Sequence, residues 1–292
     1  MLAPGTPPRP PRPSAKLGAT TGPGDTVKPA SHAAPHRPSA QGLAAIDRTA
    51  REIRPDDPEL EAWSANYLSE HRQRMGTDVD LTLEHVAPGA RVLDVGAAPL
   101  VTTGALASLG FDVLGVDIRP DRFATAIEAL GLDVRRCDIE REPLPFEDAS
   151  LAAVLFNELF EHLRIDPIFT LGEVFRVLEP GGVLLLSTPN LRSLRGIRNL
   201  VLRDQGHAVS AGVYRQYDKL RTLGHMGHVR EYTVTETLDF LGRIGFVTEA
   251  LVYRGGYGKG PVGVVEKLAP SLRPFFSVVA RRPTAPRAPS PS

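Results

Sequence analysis

The chain has 292 residues, 42% of them hydrophobic, which suffices for one sizeable core carrying polar tails. Its 34 basic residues balance 34 acidic ones, so no net charge draws the whole chain towards nucleic acid or an anionic surface. A single cysteine, Cys137, excludes an internal disulfide and a cysteine-rich zinc site; no apolar run has membrane-spanning length and no secretory signal opens the chain, so a cytoplasmic location is expected.

Residues 1–41 are rich in Pro, Ala, Ser, Thr and Gly and read as a disordered tail, as do 283–292, which leaves 42–282 as the folded domain. A polyproline docking arm around Pro7, Pro8, Pro10, Pro11 and Pro13 is the sharper alternative for the first tail. From Gly42 to His85 the pattern is helical. Asp57 before Pro58 marks a helix start, and Leu60, Trp63 and Tyr67 share a face, with the two aromatics expected in the core.

The chain is organised around RVLDVGAAPLVTTGALASLGFDVLGVD, Arg91 to Asp117. Arg91 to Val95 reads as a buried parallel strand, Gly96 as a sharp turn, Val101 to Leu109 as a helix, and Val113 to Val116 as a second strand ending on Asp117. A carboxylate at that strand end can accept from two ribose hydroxyls. Further on come a helix (Arg119 to Leu130), strands at Asp133 to Cys137, Ser150 to Phe156 and Val183 to Ser187, a helix opening at Asn157, and closing strands at Phe246 to Tyr253 and Phe275 to Ala280. Such alternation predicts an α/β fold: a doubly wound, mostly parallel sheet with helices on both faces. Residues 188–229 break the alternation and read as an inserted helical lid. Arg192, Arg195, Arg198 and Arg203 thread it; the series reads as a solvated helix face, with an anionic substrate as the alternative.

Two groups of residues point to chemistry. Glu158, Glu161 and His162 are spaced i, i+3, i+4, which on a helix places them on one face, close enough to share a cation, and His225 and His228 follow where the lid returns. Two carboxylates with imidazoles suit Mg, Mn, Fe or Zn. The bland reading is that the glutamates complement a helix dipole and His162 only packs. In either case His162, His225 and His228 are the candidate general bases. The first turn has only Gly96 where a dinucleotide fingerprint needs three glycines, which counts against an NAD-dependent oxidoreductase.

Taken together, VLDVGAAPL, GVDI, Cys137-Asp138-Ile139, LAAVLFNELFEHL, FRVLEPGGVLLLSTPN and GHVREYT resemble class I S-adenosylmethionine-dependent methyltransferases over Arg91 to Arg281. The resemblance implies a seven-stranded Rossmann-like sheet and adenosylmethionine contacts at Asp94, Gly96, Ala98, Asp117, Ile118, Asp138, Ile139 and Asn157. Asp94 and Gly96 would lie at the amino acid end, Asp117 at the ribose hydroxyls and Asp138 near the adenine amino group. Ala98 and Leu100 stand where the family commonly has further glycines, which keeps a catalytically silent adenosine-binding protein as an alternative. The Glu-x-x-Glu-His with a later histidine is similar to metal-dependent O-methyltransferases acting on quinone precursors or on small-RNA 2'-hydroxyls, which implies a divalent cation on Glu158, Glu161, His162 and His228. The fragment His-x-x-His-x-Arg-Glu-Tyr-Thr also resembles methyltransferases of glycan and lipid biosynthesis, so the expected acceptor is a small-molecule, sugar or lipid-linked hydroxyl. Few basic residues and no aromatic platform argue against RNA.

Overall fold

A computed structural model describes residues 37–210, 212–223, 227–256 and 260–284. The expectations for most of both tails and for His225 lie outside them.

Two helices precede the sheet. In α1 (Ala40–Glu52) the Ser39 hydroxyl accepts from the Gly42 N–H and donates to Asp80 at 2.6 Å, so one residue caps this helix and ties it to the next. Asp57 does open a helical segment, but as the cap of a 3-10 turn at Pro58–Leu60 that runs into α2 (Glu61–His85). Trp63 and Tyr67 stack at 5.1 Å between centroids and pack against the core.

The sheet then forms from β1 (Arg91–Val95), β2 (Asp112–Asp117), β3 (Asp133–Arg136), β4 (Leu151–Asn157), β5 (Leu178–Pro189), β6 (Val247–Arg254) and β7 (Phe275–Arg281). Interleaved with them are α3 (Val101–Ser108), α4 (Ala124–Ala129), α5 (Pro167–Val177), α6 (Leu194–Arg203), α7 (Val213–Leu223), α8 (Val234–Ile244) and α9 (Pro261–Leu268). Spatial order is β3-β2-β1-β4-β5-β7-β6, with β7 antiparallel to both neighbours and the other pairs parallel. The doubly wound seven-stranded expectation is borne out. Because the inner strands are covered on both faces they read as nearly continuous apolar runs, and two separate buried clusters lie one on each side of them.

This order places the site. The chain leaves β1 for β2 and β3 on one side, then crosses back to β4 on the other, so a crevice opens above the carboxyl ends of β1 and β4. The lid leaves from the end of β5 and returns through a bridge between Asn190 and Tyr232, which roots α6 and α7 at the same edge. A capping box of Thr233 and Glu236 then starts α8.

Candidate functional site

Strand β1 ends at Val95, and Gly96, at φ +75°, makes the turn that L side chains rarely adopt. The N–H groups of Gly96 and Ala97 donate to the Val116 carbonyl at 2.8 and 3.1 Å, which holds the turn against β2. Asp117 closes β2, and two backbone donors orient its carboxylate: Ala98 N–H at 3.1 Å and Arg119 N–H at 2.8 Å. Each carboxylate oxygen retains a lone pair for a ligand hydroxyl.

Two adjoining cavities share Gly96. One is lined by Asp94, Ala98, Asn157 and Glu158 together with Tyr67, Arg74 and Asp78 of α2. The other is lined by Asp117, Ile118, Asp138, Ile139 and His162. All eight residues expected at the cofactor therefore line one or the other of these two adjoining cavities, together called the crevice. What sequence reasoning missed is the contribution of α2: Arg74 and Asp78 carry no local motif, and only the folded preamble brings them to the crevice.

Glu158 departs from its expected role. No α-helix opens at Asn157, which is the last residue of β4; Glu158 has φ +52°, and only a 3-10 turn follows at Phe160–His162. The helical i, i+3, i+4 face therefore does not exist. The Glu158 carboxylate instead meets Arg74 at 3.1 Å and Arg254 at 3.1 Å and accepts from the Ser187 hydroxyl at 3.0 Å.

Glu161, His162 and His228 do converge, with one potential ligand atom from each within 4.8 Å of the others. Glu161 is fully buried; Thr188 donates to one of its oxygens at 2.9 Å and the other has no hydrogen-bond partner. Burial, reinforced by the nearby Glu158 charge, holds its carboxyl well above the usual range. The lid's return leg completes the cluster, because Val229 and Arg230 N–H donate to the Glu161 carbonyl. His162 Nδ1 lies 3.0 Å from the Gly227 carbonyl, which can only accept, so Nδ1 carries the proton there. His228 Nδ1 faces Glu231 at 3.3 Å. Burial alone would discourage the His228 cation, but Glu231, Glu161 and Glu158 outweigh it and raise its pKa. Glu231, buried, also accepts from the N–H groups of Ala208, Val209 and Ser210, so one carboxylate both orients His228 and fastens the loop between the lid helices. Burial works against its charge, yet His228 and these amides pull its pKa down to about 2.

Residues 93–186 match the family model of the methyltransferase domain. That stretch, from β1 into β5, is similar to methyltransferase domains. The chain is 34% identical over 108 residues to the ubiquinone biosynthesis O-methyltransferase of Xanthomonas campestris, covering 35% of this chain and 44% of that one. Over 117 residues it is 38% identical to the demethylmenaquinone methyltransferase of Thermus thermophilus, covering 37% of this chain and 50% of the relative. The chain thus spans about half the length of the curated relatives it matches, or less. A SAM-dependent methyltransferase from Thermotoga maritima superposes with a TM-score of 0.51 at 16% identity, over 77% of this chain and 97% of that structure, and so shares the fold.

A methyltransferase domain implies S-adenosylmethionine, and the residues present fit it. Adenosylmethionine carries a sulfonium and an ammonium against one carboxylate, and the crevice offers Asp78, Asp94, Asp117, Asp138, Glu140 and Glu158 against Arg74 and Arg164. Asp94 is the sharpest case. Buried, and receiving a side-chain hydrogen bond from Thr103 at 2.7 Å, it is pushed by burial up to about 7. Since its folded pKa lies above its unfolded one, its contribution favours the fold in acid and is lost as pH rises from about 4 to about 7. Asp94→Asn should therefore stabilise the unliganded protein at pH 8 by roughly 3 kcal/mol and leave it unchanged near pH 4. Melting curves at the two pH values check the sign; the same variant should bind a cationic adenosyl ligand more weakly.

Proposed function

We propose that this protein is a S-adenosylmethionine-dependent methyltransferase acting on a hydroxyl of a small-molecule, sugar-linked or lipid-linked acceptor, with a divalent cation assisting. The observation that carries the reading is the acidic crevice over β1 and β4, which suits a cationic adenosyl ligand and opposes a nucleotide diphosphate, set beside the cluster of Glu161, His162 and His228. The quinone O-methyltransferase named among its relatives supports an oxygen acceptor.

The cofactor supplies a methyl group bonded to a cationic sulfur, transferable by in-line displacement. Asp117 would hold the ribose hydroxyls, Asp138 the adenine amino group, and Asp94 the ammonium. The remaining work is to position an acceptor hydroxyl and remove its proton. His228, oriented through Nδ1 by Glu231, and His162, oriented by the Gly227 carbonyl, are the candidate proton acceptors. Glu161, His162 and His228 would hold a divalent cation, whose charge would lower the pKa of a hydroxyl bound beside it. Glu158 is left out of this set.

Calorimetry with S-adenosylmethionine, S-adenosylhomocysteine and NAD tests the cofactor: binding of the first two and not the third is expected, and the reverse would return the chain to the oxidoreductases. For the cation, excess chelator should lower methyl transfer to the level of Glu161→Gln, a loss on the order of 100-fold or more. Full turnover in chelator would remove the cation and leave the histidines as the base.

A further inference from the structure

The two lid helices are packed the wrong way round for a core. α6 turns Gly196 and Asn199 inward: a Cβ on Gly196 would collide with the Leu191 carbonyl, and the Asn199 amide donates to the His207 carbonyl at 2.9 Å. Ile197, Leu200, Val201 and Leu202 face outward, the last two 72% and 75% exposed. α7 repeats the arrangement, burying Gln216, whose side chain accepts from the His228 N–H at 3.1 Å, and exposing Val213, Tyr214 and Tyr217, with Tyr214 at 80%. Isolated exposed apolar residues are ordinary, but two successive helices whose buried positions are Gly196, Asn199 and Gln216 while several of their large apolar and aromatic side chains stand in solvent are not.

Charge narrows the choice of occupant. In a chain of zero net charge, residues 192–221 hold seven Arg and Lys against two Asp, and Asp218 is paired with Arg221 at 3.0 Å. Arg195, Arg198 and Arg203 are interleaved with the exposed apolar side chains of α6 and are themselves exposed. A second copy of this chain would bring the same cations face to face in a two-fold contact. Leucine, valine and tyrosine raised on helices, with arginines between them, suit instead a surface that is apolar at depth and anionic at the headgroups. No helix among the described residues is long and apolar enough to cross a membrane, so the contact would be peripheral.

We infer that α6 and α7 form a docking surface for an anionic phospholipid bilayer. Because the lid is rooted at Asn190 and Tyr232 and its return leg bonds to the Glu161 carbonyl, this surface lies on the element that closes the candidate site. An acceptor dissolved in the bilayer would then reach the crevice from the lid side. The inference does not depend on the methyltransferase reading, since its test uses neither cofactor nor acceptor.

The test is flotation of the full chain with phosphatidylcholine vesicles and with mixed phosphatidylcholine and phosphatidylglycerol vesicles. Retention by the mixed vesicles alone, weakened by added salt, is expected. Leu200→Asp with Val201→Asp should cut retention by more than about tenfold, and Arg195→Gln with Arg198→Gln by about fivefold per arginine. All four side chains are exposed, so the melting temperature should not move. Failure of the unaltered chain to float with mixed vesicles, or retention indifferent to both double variants, would overturn the inference. So would a concentration-dependent dimer, seen by sedimentation, that the Leu200→Asp, Val201→Asp variant loses, because the occupant would then be a second copy.

Discussion

Replacing Asp117 by alanine is expected to weaken S-adenosylhomocysteine binding by about 100-fold, the worth of two hydrogen bonds to a charged acceptor. The position makes this change larger than a loss of contact. Asp117 ends β2 beside the turn after β1, and it accepts from the Ala98 and Arg119 amides as well as from any ribose. Removing it deprives the turn of its Ala98 tether, beside the Gly96 and Ala97 amides held on Val116, so part of the crevice floor is loosened together with the proposed ribose contact. Asp117→Asn separates the two effects, because the amide oxygen still serves one backbone donor while the charge is gone; its affinity should fall between the other two. Titration calorimetry reads both variants, with 5'-methylthioadenosine as the ligand that keeps the ribose and lacks the amino acid. Equal affinity of Asp117→Ala and the unaltered chain for both ligands would remove Asp117 from the site.

The parts of this site that could be read from the sequence are those made by neighbours in the chain. Strand, turn, helix and strand from Arg91 to Asp117 form a local unit, and its apolar runs, single glycine and terminal carboxylate announce it. Asp138 follows β3 by the same logic. Glu158 could not be read correctly, because the spacing of Glu158, Glu161 and His162 is informative only if the segment is helical. Here the chain leaves β4 through a residue at φ +52° and makes a 3-10 turn, and Glu158 pairs with arginines instead of joining the cluster of Glu161, His162 and His228. The charges that receive it come from α2 and from the end of β6, distant in sequence and invisible to any pattern of local spacing. For residues 188–229 the sequence suggested helix, and α6 and α7 lie within them, but which side of each helix turns inward could not be read, because packing places Gly196, Asn199 and Gln216 there.

Arg254 should prove costly to neutralise. It is buried at the end of β6, 2.6 Å from Asp78 and 3.1 Å from Glu158, and it also donates to the Arg74 carbonyl at 3.1 Å. These contacts fasten α2 across the carboxyl end of the sheet and so build the wall that carries Tyr67, Arg74 and Asp78 into the crevice. Arg254→Met leaves two buried carboxylates with one guanidinium between them, a loss of about 3–5 kcal/mol, or a fall in Tm on the order of 10 °C for a domain of this size. The pH dependence distinguishes an electrostatic cause from a packing one. Burial already pushes Asp78 up to about 6, with Arg254 and Arg74 restraining it. Without Arg254 its folded pKa rises further above the unfolded value, so protonation favours the fold over a wider range and the variant's deficit should shrink as pH falls from about 7 towards 4. Asp78→Asn in the same chain should recover part of the loss at neutral pH and abolish most of that recovery in acid. A deficit that stayed constant with pH, or a second substitution that merely added to the first, would mean that Arg254 holds α2 by packing rather than by charge.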